Sequence, residues 1–322
     1  MLEELKIKGS IPKLVMLVGV PASGKSTITE KLASLGYLVL SSDKIRSELY
    51  DLDALFSGDR AEIKKANHAV FNKIASLAKE ALSQGKSVLI DATNLNRKNR
   101  IYFLRGTTKL LCERVCVLVV TPPDICLERN AKRQGAERLP EAEMHKMIGA
   151  FECPIKNEGW DKILLCQSSE PYSLPLDLTI GFNQDNPNHA HTLYEHLRLA
   201  EEYAIKNNYS KELAEICLYH DIGKLFTKKF QNHKGEKTDI AHYLCHEGYG
   251  AYMYLASKCC GNALSQEELE EACYFSALIG AHMRPLHVWN KSENARKRDL
   301  SIFGNEFIFD LEKVSRADLF AH

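Results

Sequence analysis

The chain is 322 residues long, 45% hydrophobic and 26% charged, with 42 basic and 42 acidic side chains and a formal net charge of zero. That is the make-up of an ordinary globular protein longer than one compact core usually runs, and the overall charge announces no polyanionic partner. The longest apolar run, Leu14 to Val20, is too short to span a bilayer, and the opening MLEELKIKGS lacks the apolar core of a secretion signal, so no membrane partner and a cytoplasmic location are expected. The ten cysteines, among them Cys112, Cys116, Cys126 and Cys153, lie scattered mostly in apolar segments without a C-x-x-C pair. They read as small buried hydrophobes of a reducing compartment, which argues against disulfides and structural zinc.

From Lys13 to about Gln167, short β-rich runs alternate with helical stretches. The candidate strands are Leu14–Val18, Leu38–Leu40, Ser87–Ile90, Val115–Val120 and Ile163–Leu165, nearly continuous in apolar residues as strands covered on both faces must be. Between them Ala61–Ser83 carries Ala66, Val70, Ile74, Leu77 and Ala81 at helical spacing. Such alternation implies a parallel α/β sheet. Pro171, Pro175 and Pro187, with several Ser and Asn, mark a linker. Beyond it Thr192–Lys206 and Gln266–Gly280 read as helices and no strand alternation returns. The expected architecture is an α/β domain over residues 1–168, a linker over 169–186 and an all-α domain over 187–322.

Residues 19–27, GVPASGKST, fit G-x-x-x-x-G-K-[ST] between a predicted strand and a predicted helix, the context this phosphate-binding loop requires. Glycines let the backbone curl so that its N–H groups face phosphates; Lys25 would reach the β- and γ-phosphates and Ser26 would hold Mg²⁺. Gly19, Ser23, Gly24, Lys25, Ser26 and Thr27 are therefore the expected nucleotide-binding residues, with ATP and Mg²⁺ as cofactors. Asp43 stands at a strand's carboxyl end, where α/β proteins place ligands, and suits a base that takes the proton of an attacking hydroxyl; its position also fits a helix N-cap, and both roles can hold. Arg46, three residues on, could grip the acceptor's phosphate. The third strand ends in Asp91-Ala-Thr93-Asn94. Arg129 and Arg133, spaced i,i+4, would share a helix face, suited to a lid over the ATP phosphates or simply an ordinary basic face.

The set GVPASGKST, SSDKIR, DATNLN and ERNAKR…LP resembles the phage-type polynucleotide 5′-kinase family over about residues 13–165. The resemblance implies that Lys25 and Ser26 bind phosphate and metal, that Asp43 is the general base, that Arg46 contacts the acceptor and that Arg133 in a lid binds the donor.

Nine of the twelve histidines lie between His189 and His287. Tyr219-His220-Asp221-Ile-Gly223-Lys224 places adjacent His and Asp at the end of a helical run; His196 lies upstream, His242 and His246 follow at i,i+4, then come His282 and Asp318. Imidazole and carboxylate ligands from several helices suit Mn, Fe, Ni, Co or Zn, and such a metal can activate water and polarise a phosphoryl oxygen. The pattern resembles the HD phosphohydrolase superfamily over about residues 187–322. The resemblance implies His196, His220, Asp221 and Asp318 as ligands, His246 and His282 as additions in two-metal members, and Lys224 as a phosphate contact. His191 competes with His196, and His242 with His246; the Leu-Arg-Leu-Ala after His196 and the segment HEGYGA favour His196 and His246.

The two modules together resemble RNA end-healing enzymes, although those place the HD module first. RNA cut through its 2′-OH carries a 2′,3′-cyclic phosphate and a 5′-OH, and a kinase and a phosphohydrolase repair one each. A bifunctional enzyme acting on polynucleotide ends, RNA above all and with a separate ligase downstream, is the leading expectation. A small-molecule kinase fused to a nucleotidase and an ATP-gated sensor are the alternatives.

Overall fold

The computed structural model describes Met1 to His322 apart from residues 8, 10 and 58 and apart from the side chains of residues 53, 56, 57, 60 and 136. The chain folds as two compact units, Met1–Val119 with Glu158–Cys166, and Val120–Asn157 with Gln167–His322.

The first unit runs α1 (Leu2–Leu5), β1 (Lys13–Val18), α2 (Lys25–Ser34), β2 (Leu38–Ser41), α3 (Ser42–Leu49), α4 (Leu52–Ser57), α5 (Arg60–Ser83), β3 (Val88–Asp91), α6 (Arg97–Gly106) and β4 (Glu113–Val120), and the chain returns to it as β5 (Lys162–Gln167). The strands lie in the order β2-β3-β1-β4-β5. Val15 pairs with Leu89 and Val115, and Leu40 with Ile90, all in parallel. As the apolar runs predict, β1 is fully buried from Leu14 to Val18, and Val15, Leu17, Leu89, Val115 and Val117 pack against Ile28 and Leu32 of α2 in one core cluster. In α5 the buried stripe is Ala66, Val70, Ile74, Ala78 and Ala81, with Asp59 capping the helix through the N–H of Glu62. Because β1, β2 and β3 are neighbours and parallel, their carboxyl ends bring the loop after Val18, the segment at Ser42 and Asp91 to one edge of the sheet.

The second unit holds α7 (Pro123–Ala131), α8 (Glu141–Gly149), α9 (Leu193–Lys206), α10 (Lys211–Tyr219), α11 (Lys224–Thr227), β6 (Lys228–Gln231), β7 (Lys237–Tyr243), α12 (His246–Cys259), α13 (Gln266–Ala281), α14 (Arg284–His287), α15 (Glu293–Phe303) and α16 (Asn305–Phe320). Capping boxes at Thr192/Glu195 and Ser265/Glu268 set the starts of α9 and α13.

Two expectations are corrected here. The second unit is not all-α: β6 and β7 form an antiparallel hairpin. Their lysine-rich composition hides the strand period, yet the turn chemistry was readable, since Asn232 Oδ1 accepts from the N–H of Lys234 and of Glu236. Nor does the chain divide near residue 168, since residues 120–157 pack with the C-terminal helices. Gly149 of α8 and Gly248 of α12 meet so closely that a Cβ on Gly248 would lie 2.0 Å from the Gly149 carbonyl oxygen. The proline-bearing stretch is not slack either: Leu176 and Phe182 pack on Leu193, Leu197 and Leu218, and Thr179 and Gln184 are buried.

Among the described residues the ten cysteines form no disulfide; eight are buried, Cys166 is partly buried and Cys245 lies at the surface. Among the described residues no helix is long and apolar enough to cross a membrane.

Candidate active sites

In the first unit the loop between β1 and α2 curls because Ala22 and Gly24 take positive φ (62° and 103°), which turns the first N–H groups of α2 toward the mouth of the loop. A Cβ on Gly19 would lie 2.7 Å from the Val119 carbonyl oxygen, so the loop's entry admits only glycine without a shift. The loop is tied to the neighbouring strand end by the Gly19 N–H to Thr93 O bond (3.1 Å), and Asn94 Nδ2 reaches Leu17 O (2.8 Å). Behind that segment the fully buried Arg100 donates to Glu158 (2.6 and 2.8 Å) and to the carbonyls of Asn94 and Leu95 (3.0 and 2.9 Å). Lys25 Nζ folds over the loop onto the carbonyls of Gly19 (3.0 Å) and Val20 (2.8 Å), while Ser26 and Thr27 are exposed at the helix start.

Asp43 is not the N-cap of α3; Ser41 is, and Asp43 lies in the first turn with 88% of its side chain exposed. Its Oδ1 accepts from Arg46 at 2.6 Å, and Arg46 also reaches Asn67 Oδ1 (3.2 Å), which aims the guanidinium at the exposed carboxylate. Asp91, to which no role was attached in the sequence, joins this group. Burial raises its pKa, opposed by the charge of Lys25 and a hydrogen bond from Thr29, while the nearby Asp43 charge raises it further. The signal was present: an acid at a strand's carboxyl end, as for Asp43.

Arg129 and Arg133 belong to the segment 120–157. They do not share a helix face. The last α7 residue is Ala131, and Arg133 lies beyond it because Asn130 turns the chain by clasping the backbone of Leu139 through both its amide groups (2.8 and 3.0 Å).

In the second unit six residues converge. Nε2 of His196 lies 3.3 Å from Asp221 Oδ2, 3.3 Å from Asp318 Oδ1 and 3.2 Å from His220 Nε2. Across Asp221 a second group forms, with His246 Nε2 at 2.9 Å and His282 Nε2 at 3.3 Å from Oδ1. Asp221 thus offers one oxygen to each group, and all six side chains are buried. Each imidazole has its other nitrogen beside a backbone carbonyl: His196 at Ala321 (3.1 Å), His220 at Cys217, His246 at Tyr243 and His282 at Ile279 (2.7 Å each). An Nδ1–H donated to a carbonyl leaves a lone pair on Nε2, so four lone pairs face two carboxylates. That arrangement repels itself unless cations lie between, and Asp221 Oδ1 has no hydrogen-bond donor. The donor set therefore fits divalent metal, four residues in one group and three in the other with Asp221 shared. Without a cation, burial lowers the pKa of His196 but hydrogen bonds to Asp221 and Asp318 raise it to about 9. Burial likewise opposes, and Lys224 and His220 respectively lead, the depression of Asp221 and Asp318 well below the carboxylate range.

The HDIGK segment brings these groups together because α10 ends at Tyr219, His220 caps it and the chain turns directly into α11. Gly223 passes against the start of α12, where a Cβ would lie 2.1 Å from the His246 carbonyl oxygen. Lys224 Nζ, buried, sits 2.6 Å from Asp221 Oδ2 and 2.9 Å from Gln184 Oε1. His191 and His242 are outside both groups. Sequence reasoning missed Gln184, His189 (3.4 Å from Lys224 Nζ) and His322 (3.3 Å from Asp318 Oδ1), which line the same centre. Gln184 stood in a stretch read as linker, whereas His322 had a signal that went unused, its i,i+4 spacing from Asp318.

Loop, strand-end acids and parallel sheet make the N-terminal half a P-loop kinase-like domain. Residues 14–154 match a family model described as an AAA domain. A 161-residue stretch is 30% identical to transcription factor bHLH140 of Arabidopsis thaliana, covering 48% of this chain and 16% of that protein. Similar stretches match the bifunctional polynucleotide phosphatase/kinase of Schizosaccharomyces pombe (24% identity, 48% of this chain, 34% of that protein) and the L-seryl-tRNA(Sec) kinase of Methanococcus maripaludis (25%, 46% and 56%). The chain thus spans between about a sixth and just over half of the length of these relatives.

Proposed function

We propose that the chain is a bifunctional nucleic-acid end-healing enzyme acting on RNA: an ATP-dependent 5′-OH polynucleotide kinase in its N-terminal part and a metal-dependent HD phosphohydrolase of 2′,3′-phosphate ends over residues 187–322, with a separate ligase sealing the product. The observation that carries it is the pairing of two complementary sites in one chain, the phosphate loop with Asp43 and Arg46, and the Asp221-centred cluster. The relative whose name couples polynucleotide phosphatase and kinase supports the reading.

In the kinase, Lys25 and the α2 N–H groups hold the ATP phosphates, with Mg²⁺ at Ser26. Asp43, exposed at its strand end, takes the proton of the 5′-hydroxyl. Arg46 leaves Asp43 for the acceptor's phosphate, freeing the carboxylate to act as base. In the hydrolase, His196, His220, Asp221 and Asp318 hold one Mn, Fe, Ni, Co or Zn ion, and Asp221, His246 and His282 hold a second. Such ions polarise a phosphoryl group and acidify bound water. Lys224, fixed by Asp221 and Gln184, binds a phosphate oxygen.

The test offers a 5′-OH, 3′-phosphorylated RNA oligonucleotide with ATP and Mn²⁺ and reads both ends. Phosphate gained at the 5′ end and lost at the 3′ end is the expected result; preference for free nucleosides and nucleotides overturns it.

A further inference from the structure

The β6–β7 hairpin has no part in holding metal, yet it is built onto the metal cluster. Lys228 is ion-paired with Asp185, the Ala241 N–H donates to Asp185 O (2.8 Å), Asn186 Nδ2 donates to Ala241 O (2.9 Å) and Tyr243 OH donates to Gln184 O (2.5 Å). The same segment supplies Gln184 Oε1 to Lys224, whose Nζ touches Asp221. The hairpin base and the phosphate-binding lysine are therefore held by one short run of backbone.

Lys228 and Phe230, two residues apart, share one face of β6, and Tyr243 lies opposite Lys228 on that face. Cations and rings alternate outward from the cluster: Lys224 Nζ is 5.3 Å from the Tyr243 ring centroid, and Lys228 Nζ is 4.7 Å from that of Phe182 and 6.0 Å from that of Phe230. Phe230 ends the series with 47% of its surface exposed on a strand otherwise occupied by Lys228, Lys229 and Gln231. Lys234 and Lys237 at the turn end are exposed too, and among the described residues neither pairs with a carboxylate, whereas Glu236 is engaged by Asn232. The hairpin thus presents an exposed ring beside Lys228, itself held by Asp185, with the turn-end lysines unpaired among the described residues. It suits a ligand that carries a flat apolar face and regular negative charge, which describes single-stranded nucleic acid.

We propose that this hairpin is the strand-binding element of the hydrolase: Phe230 stacks a base near the strand end while Lys234 and Lys237 meet backbone phosphates and the terminal phosphate lies at Lys224 and the Asp221 cluster. The inference rests on the hydrolase reading above and adds how that site tells a polynucleotide from a mononucleotide.

The test measures phosphate release by the full-length protein from a 3′-phosphorylated single-stranded RNA oligonucleotide and from a 3′-mononucleotide. Wild type favours the oligonucleotide in kcat/KM. Phe230→Ala lowers the ratio of the two by about fivefold or more, through KM, and Phe230→Trp restores it. Replacing Lys234 and Lys237 by Gln flattens the salt dependence of oligonucleotide hydrolysis, by about 0.7 in log–log slope for each phosphate no longer neutralised. A wild-type protein that shows no oligonucleotide preference, or no release from either substrate, overturns the polynucleotide hydrolase reading and the inference with it. A preference that survives Phe230→Ala in a folded, metal-replete protein overturns the hairpin's role alone. Polyglutamate competing as well as single-stranded RNA does so too, since the surface would then read acid rather than bases.

Discussion

Asp221 is the one side chain shared by both groups of the cluster, and its replacement by Asn tests the whole arrangement. Asn preserves the shape but removes the charge and one of the two oxygens. Binding of a four-ligand ion is worth about 10–16 kcal/mol, so one ligand accounts for about 3–4 kcal/mol, about 10²–10³ in Kd. Because Oδ1 faces His246 and His282 while Oδ2 faces His196, both groups lose affinity together. His282→Ala touches one group and His196→Ala the other. Wild type equilibrated with Mn²⁺ and then gel-filtered should hold two ions by elemental analysis, His282→Ala and His196→Ala about one, and Asp221→Asn close to none, whereas His191→Ala and His242→Ala should match wild type. An Asp221→Asn protein that keeps one ion, or a His282→Ala protein that keeps none, would refute the shared-carboxylate geometry.

Lys25→Ala should abolish phosphate transfer to a 5′-OH end and leave phosphate release intact; loss of both activities in a folded protein counts against two separate sites. Asp43→Asn should still bind ATP, by fluorescent-analogue titration, while transfer falls about 10²-fold or more; a near wild-type rate would leave Asp43 with no role as base. Glu158→Gln should destabilise the first unit by about 3–5 kcal/mol, read in urea melts, because its fully buried carboxylate is the partner of the fully buried Arg100; an unchanged midpoint would show that the pair contributes nothing.

The parallel sheet was legible because buried strands leave uninterrupted apolar runs: Leu14–Val18 and Val115–Val120 are found within a residue or two of where the pattern puts them. The phosphate loop was legible for another reason, that backbone curling demands glycines at fixed offsets. Where long-range packing decides, the sequence was mute. Gln184 reads as linker but is buried because Lys224 needs an acceptor. The helix carrying Arg129 looked continuous through Arg133, but a side-chain clasp between Asn130 and Leu139, nine residues apart, ends it. Segment 120–157 lies between the fourth and fifth predicted strands of the kinase pattern, and only long-range packing, such as Gly149 on Gly248 and Phe151 on Tyr252, assigns it to the helical unit.

Gly223 gives the histidine–aspartate motif a meaning apart from ligation. A side chain there would collide with the carbonyl of His246 and the N–H of Gly250, both on α12, so it would push that helix outward. His220, Asp221 and Asp318 do not lie on α12, whereas His246 does. The distance between the two halves of the centre is thus gauged by the thickness of a bare polypeptide backbone. Under the proposed two-metal reading, nuclearity is then a matter of how closely two chain segments pass, and a methyl group at position 223 would move His246 away from Asp221 while every ligand residue stayed the same.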